Sequence, residues 1–104
     1  MKEITVTEFK KLRDNKADYQ LIDVREDHEL EICEMGGEHI PMGDVMDNLD
    51  KISKTKQVII QCRSGARSGT ICRALEAEGF NNVYNLKGGI LAWIDEVDPS
   101  LEKY

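Results

Sequence analysis

Cys62 ends an apolar run, Val58-Ile59-Ile60-Gln61, and opens a stretch of small and basic residues, Arg63-Ser64-Gly65-Ala66-Arg67-Ser68. A helical pattern begins at once. A thiol at a helix N-terminus sits where backbone N–H groups lack partners and the helix dipole is positive, so the position suits an anion. That placement, with cations beside it, favours the thiolate, and the thiolate is a nucleophile. Cys62 is therefore the candidate catalytic residue. Gly65 and Ala66 are small enough for the loop to curl with its N–H groups inward. Ser64 and Ser68 can cap the helix or donate to a bound anion. Arg63, Ser64, Gly65, Ala66 and Arg67 form the candidate substrate-binding set.

Charge points the same way. The chain of 104 residues carries a net charge of −6, which argues against nucleic-acid binding. Between Lys51 and Leu75, however, Lys51, Lys54, Lys56, Arg63, Arg67 and Arg73 stand without one Asp or Glu. That window holds +6, so the remainder holds −12. The expectation is an anionic substrate approaching Cys62 through a basic surface.

The elements that must position this loop alternate. Glu3 to Val6 reads as a short strand, and Thr7 as the N-cap of a helix presenting Phe9 and Leu12 on one face. Asn15 to Asp18 reads as a turn. Gln20 to Val24 is a strand whose adjacent apolar residues predict burial on both faces, as in a parallel sheet. Glu26 to Cys33 is a short helix with Leu30 and Cys33 at i, i+3, and Gly36-Gly37 breaks the pattern. His39-Ile40-Pro41 is extended. Asp44 to Ile52 is amphipathic, with Val45, Leu49 and Ile52 on one side. Gln57 to Gln61 is the central strand. Ala66 to Glu78 is a helix that Gly79 ends, with Phe80 packing back on Leu75. Val83 to Leu86 is the last strand, and a helix begins near Ile90. One α/β layer structure with a mainly parallel sheet follows, spanning residues 1–104 as one domain. In such sheets ligands sit at the C-terminal ends of strands, where Cys62 falls.

Three widely spaced cysteines without a C-x-x-C pair predict neither a disulfide framework nor a zinc site. No metal or other cofactor is called for. The chain shows no basic-then-apolar leader and no apolar run of about 18 residues. The expected location is the cytoplasm, with no membrane partner.

Taken in order, four segments resemble the rhodanese-homology family in its small single-domain form. They are Leu21-Ile22-Asp23-Val24-Arg25-Glu26, His39-Ile40-Pro41, the C-R-x-G-x-R loop from Cys62 to Arg67, and Leu86-Lys87-Gly88-Gly89 with Trp93. The resemblance implies a three-layer α/β/α fold with a mainly parallel central sheet of about five strands. It also implies a sulfurtransferase of the thiosulfate type. Cys62 would take sulfane sulfur from an anionic donor and hold it as a persulfide. A small acceptor, cyanide in vitro or a thiol in the cell, would remove it. A sulfur-carrier or sulfur-relay protein belongs among the implied partners. Arg63 would attract the donor, and Arg67 would brace the loop or contact the anion. Two places depart from the family pattern: Glu38 stands where a Gly usually precedes His-Ile, and Met42-Gly43 follows Pro41 instead of Gly-Ala.

Two rivals belong to other classes. Phosphatases of related fold use C-x5-R, whereas Cys62 and Arg67 give C-x4-R, a smaller cradle better suited to one sulfur than to a phosphoryl group. Arsenate reduction is a similar minor alternative. A regulatory or relay module without turnover of its own would keep the same loop. Cys33 and Cys72 read as core residues, His28 and His39 as surface or locally packed residues, and Trp93 as core. Asp23 and Arg25 read as ties between the strand end and neighbouring loops.

Overall fold

Leu21 and Ile22 are consecutive and both buried, so the strand that carries them is covered on two sides. The computed structural model, which describes residues 1–104, shows how. Five strands, β1 (Glu3–Ile4), β2 (Tyr19–Asp23), β3 (Glu38–His39), β4 (Gln57–Gln61) and β5 (Val83–Leu86), form one sheet in the order β1-β5-β4-β2-β3. Every pairing is parallel. The helices are α1 (Val6–Asp14), α2 (Asp27–Ile32), α3 (Ala66–Ala77) and α4 (Gly89–Glu96).

Alternation along the strands divides the core in two. Ile22, Val58 and Ile60 meet Ile71, Cys72 and Leu75 of α3 on one face, with Val45 and Ile52 alongside. On the other face Leu21, Ile59 and Leu86 meet Val6 and Phe9 of α1 and Ile90, Trp93 and Ile94 of α4. The three-layer α/β/α arrangement expected from the sequence is what these two cores build. No helix is long and apolar enough to cross a membrane.

Helix α3 ends as predicted. Phe80 N donates to Leu75 O and Gly79 N to Glu76 O, both at 3.0 Å, while Leu75 and Phe80 share one core. This is a Schellman motif with its apolar clasp.

Three local expectations need correction. The first strand stops at Ile4 and the N-cap is Thr5, not Thr7. Thr5 and Glu8 form a reciprocal capping box, with Glu8 N to Thr5 Oγ1 at 3.1 Å and Thr5 N to Glu8 Oε1 at 2.9 Å. A Thr with Glu at the third helical position outcompetes Thr7 with Lys10. Residues expected as one amphipathic segment fold as two 3-10 turns, Met42–Asp47 and Leu49–Lys51. They still bury Val45 and Ile52. In α2 the buried residue is Glu29, with Leu30 half-buried, because Glu29 has a cationic partner described below.

The basic stretch is the fourth correction. Lys51, Lys54 and Lys56 precede β4 and Cys62 follows it, so a full strand length separates them. Only Arg63 and Arg67 of the six cations lie on the Cys62 loop. The run along the sequence is not one surface in space.

Candidate active site

The loop from Cys62 to Arg67 joins the C-terminal end of β4 to the first turn of α3. Gly65 makes the turn possible. Its φ of 101° lies in the left-handed region, and it takes the N-cap position of α3. A side chain there would be strained. Neither Ser64 nor Ser68 caps the helix, contrary to one of their two expected roles.

The loop is clamped from behind. At the start of α4, Ile90 N donates to Cys62 O at 2.9 Å and Leu91 N to Arg63 O at 3.1 Å. This demands close approach. A Cβ on Gly89 would lie 2.4 Å from Arg63 O and 2.5 Å from Cys62 O. Gly88-Gly89 therefore serves as the backing plate of the loop as well as the start of α4.

Cys62 is 1% exposed. Its Sγ accepts hydrogen bonds from Gly65 N at 3.1 Å and Ser68 N at 3.4 Å, and Ser68 Oγ lies 3.3 Å away. Sulfur thus faces two inward-pointing amides, as the sequence predicted. Ala66 N and Arg67 N, the other first-turn amides, take no acceptor within the protein, and this is the geometry in which a helix start receives an anion.

Asn85 locks this arrangement, and sequence reasoning missed it. Its Nδ2 donates to Gly65 O at 3.0 Å and its Oδ1 accepts from Ser68 Oγ at 2.5 Å. Ser68 has one proton, and Asn85 takes it. The Cys62 thiol can then donate to Ser68 Oγ when protonated. The signal in the sequence was a buried Asn in the middle of an apolar strand, Val83-Tyr84-Asn85-Leu86.

The arginines divide their labour. Arg67 Nη1 and Nη2 donate to Glu29 Oε1 and Oε2 at 2.6 and 2.8 Å, a two-pronged pair. The hydrogen bonds from Arg67 hold the Glu29 carboxyl far below the ordinary carboxylate range, and Glu29 in turn raises the Arg67 guanidinium. Arg67 braces the loop against α2, one of its two expected roles. Arg63 is exposed, and its Nε donates to the backbone oxygen of Tyr104 at 2.8 Å. Ser64 and Ala66 are exposed.

A second buried pair lies below. Arg25 donates through Nη2 to Asp23 Oδ2 at 2.8 Å and to Cys33 O at 2.9 Å. Burial works against the Arg25 charge, but the bonds to Asp23 and Tyr104 outweigh it and the guanidinium is raised. These residues tie the end of β2 to α2, as the sequence suggested. His39 Nε2 lies 2.6 Å from Arg25 O, which is local packing. Cys33, Cys72 and Trp93 are core residues. Burial pushes the Cys72 thiol up to about 12.

Comparison with known proteins places this arrangement. The rhodanese-like domain family matches residues 5–96. The Bacillus subtilis protein called "Putative sulfurtransferase YtwF" is 38% identical over 100 residues, covering 95% of this chain and 96% of its own. A second B. subtilis protein, "Putative sulfur carrier protein YrkF", is 31% identical over 97 residues, covering 92% of this chain but 52% of its own. Among solved structures, the crystal structure of a rhodanese-like domain protein from Staphylococcus aureus superposes with a TM-score of 0.85 at 35% identity. That match spans 100% of this chain and 99% of the other. These likenesses support a sulfurtransferase role. With the parallel sheet and the loop at its C-terminal edge, they show that the chain belongs to the rhodanese-like domain family.

Proposed function

We propose that the protein is a sulfurtransferase that carries sulfane sulfur on Cys62. The Cys62 thiolate attacks the outer sulfur of thiosulfate. The sulfur–sulfur bond of the donor breaks, and sulfite leaves with the electron pair. Cys62 keeps the outer sulfur as a persulfide anion. An acceptor then attacks that sulfur and restores the thiolate. Cyanide serves in vitro and gives thiocyanate; a thiol or a sulfur carrier serves in the cell.

One observation carries the reading: the Cys62 sulfur faces Gly65 N and Ser68 N at the start of α3, with the Ala66 and Arg67 amides unclaimed. Inward amides stabilise the negative sulfur that each half-reaction leaves behind, and they stand in place before the charge develops. Arg63, Ser64, Gly65, Ala66 and Arg67 bind the donor, Gly65, Ala66 and Arg67 through backbone amides and Arg63 through its charge. No histidine base is needed. All three cysteines are free, which suits the reducing cytoplasm where we place the protein.

Intact-mass analysis tests this directly. Thiosulfate treatment should add one sulfur atom to the protein, and peptide mapping should find it on Cys62. An unmodified Cys62 would end the reading. Transfer to a carrier protein is the variant that the similarity to a named sulfur carrier favours. It would show as persulfide loss on adding such a carrier, with poor turnover to cyanide.

A further inference from the structure

Ser68 and Asn85 are both buried, so their side chains must satisfy their hydrogen bonds within the protein. Their protons are placed by what surrounds them, beginning at Gly65. A carbonyl oxygen has no proton to give, so the Asn85 atom 3.0 Å from Gly65 O is the amide nitrogen, Nδ2. The other end of the amide, Oδ1, then faces Ser68 Oγ at 2.5 Å. Two oxygens that close need a proton between them, and an amide oxygen has none. The Ser68 hydroxyl supplies it, and a hydroxyl has only one. What Ser68 Oγ turns to Cys62 Sγ, 3.3 Å away, is therefore a lone pair.

The sulfur thus meets groups that act on it in opposite directions. Gly65 N and Ser68 N donate to Sγ at 3.1 and 3.4 Å and draw out the thiolate. Ser68 Oγ accepts from the thiol and repels the thiolate. It cannot readily change sides. Turning its proton to the sulfur would leave Asn85 Oδ1 buried without that donor, and would set two oxygen lone pairs against each other. A serine without such a partner would do the reverse, since a free hydroxyl donates well to a thiolate. Asn85 decides the sign of what Ser68 does.

We propose that Ser68 and Asn85 form a brake on Cys62: an oxygen that accepts and cannot donate faces the sulfur and holds it as the thiol, against the two amides. Asn85 is a positioning residue that acts through Ser68. The proposal rests on Cys62 as the reacting thiol, the reading given above. Thiolate character also exposes a cysteine to oxidation, so a held proton guards the sulfur between turnovers. A Cys62 that carries sulfur has no thiol proton to hold.

The test follows Cys62 ionisation by the ultraviolet absorbance of the thiolate across a pH series. Each protein is read as the difference from the same protein carrying Cys62→Ser. The charged and titratable groups around the sulfur are the same in every variant: Arg63 in the loop, Arg67 and Cys72 on α3, and Glu29 of α2 through its pair with Arg67. Ser68→Ala should lower the ionisation midpoint by about 0.5 to 1 on the pH scale, the size of one hydrogen bond. Below the midpoint that is an about three- to tenfold larger share of thiolate. In Asn85→Ala the hydroxyl is free to turn, so adding Ser68→Ala there should raise the midpoint instead. A purely structural role would not reverse the sign. The wild type gives a second reading. Below its midpoint, the infrared S–H stretch that Cys62→Ser removes should lie at the lowered frequency of a hydrogen-bonded thiol.

A midpoint that rises in Ser68→Ala would overturn the proposal, because the hydroxyl would then be a donor to the thiolate. An unchanged midpoint would overturn it too. The same change with and without Asn85 would show that Asn85 does not hold the hydroxyl, and the brake would fail. An S–H stretch at the frequency of a free thiol would overturn it even where the variants did not fold. None of these measurements needs sulfur transfer. If thiosulfate leaves no sulfur on Cys62 but the midpoints behave as described, the sulfurtransferase reading fails and the brake stands. Sulfur on Cys62 with midpoints that do not move removes the brake and leaves that reading in place.

Discussion

The loop that opens α3 and the middle of the same helix each bury a cysteine, and the pair separates burial from polar surroundings. Cys62 is 1% exposed and Cys72 is 0% exposed, and both belong to the same apolar core. Cys72 meets side chains of that core, and burial pushes its thiol up to about 12. Cys62 meets two amides and a hydroxyl. The lesson is that accessible area does not distinguish the thiol proposed to react from the one proposed to be structural. The direction of the nearest peptide dipoles does.

The sharpest way to break this contrast is to remove each sulfur in turn. Cys62→Ser should abolish thiosulfate:cyanide transfer, a loss of at least about a thousandfold, because a serine hydroxyl does not ionise in this setting. Cys72→Ala should keep transfer within about twofold and cost about 1–2 kcal/mol of stability for the lost core atoms. Steady-state rates and thermal melts read both. Equal loss of transfer in the two variants would mean a dithiol mechanism and would erase the distinction.

The contrast also depends on the backing of the loop. Gly89→Ala places a methyl group against the carbonyls of Cys62 and Arg63, closer than any real contact allows. The loop must shift, and its amides with it. Transfer should drop about a hundredfold, in line with the loss from a misplaced cradle. Stability should fall by about 2–3 kcal/mol. A variant that melts early yet transfers sulfur normally would show that the amides do not set the rate.

The smallest effect concerns the brace. Glu29→Gln removes the ionic half of the Arg67 pair and should cost about 2 kcal/mol at neutral pH. The pH dependence has a definite sign. The folded-state carboxyl of Glu29 lies below its ordinary value of 4.5. Its stabilisation is therefore full above that value and is lost as the pH falls from there through the folded-state value. Urea melts of wild type and Glu29→Gln should differ at pH 7, and the gap should begin to shrink below the ordinary value of 4.5 and go on shrinking as the pH falls toward the depressed folded-state value. A gap that stays constant with pH would assign the loss to packing.

What the sequence disclosed follows the same divide between local and distant causes. The Cys62 loop, the Schellman end of α3 and the burial of β2 on both faces rest on neighbours a few positions apart, so a pattern of residue types carries them. The first helix shows the limit of that reasoning, since two overlapping caps competed and only the Thr5-Glu8 reciprocity decided between them. The lysines before β4 show a second limit: neighbours in the chain need not be neighbours in space, and here a strand intervenes. The partners of the loop were hidden for the opposite reason. Glu29 precedes Arg67 by 38 positions and Tyr104 follows Arg63 by 41. No spacing rule spans such distances; only the parallel sheet, which gathers the strand ends at one edge, brings them together.

The clamp from α4 has a further consequence for how the loop moves. A peptide unit is planar and rigid, and its N–H points opposite to its C=O. Ile90 N holds the carbonyl of Cys62, Leu91 N holds that of Arg63, and Asn85 and Gly69 hold that of Gly65. Each carbonyl so tied sets the heading of the next amide, those of Arg63, Ser64 and Ala66. None of these planes can flip without first releasing an oxygen. The loop therefore behaves as a casting whose outer surface is held by the scaffold and whose inner surface is set in part as a result, the Ala66 amide directly and the Gly65 amide between two tied peptide planes. Changes on α4, well away from the sulfur, should be felt at Cys62 as a tilt of the mould.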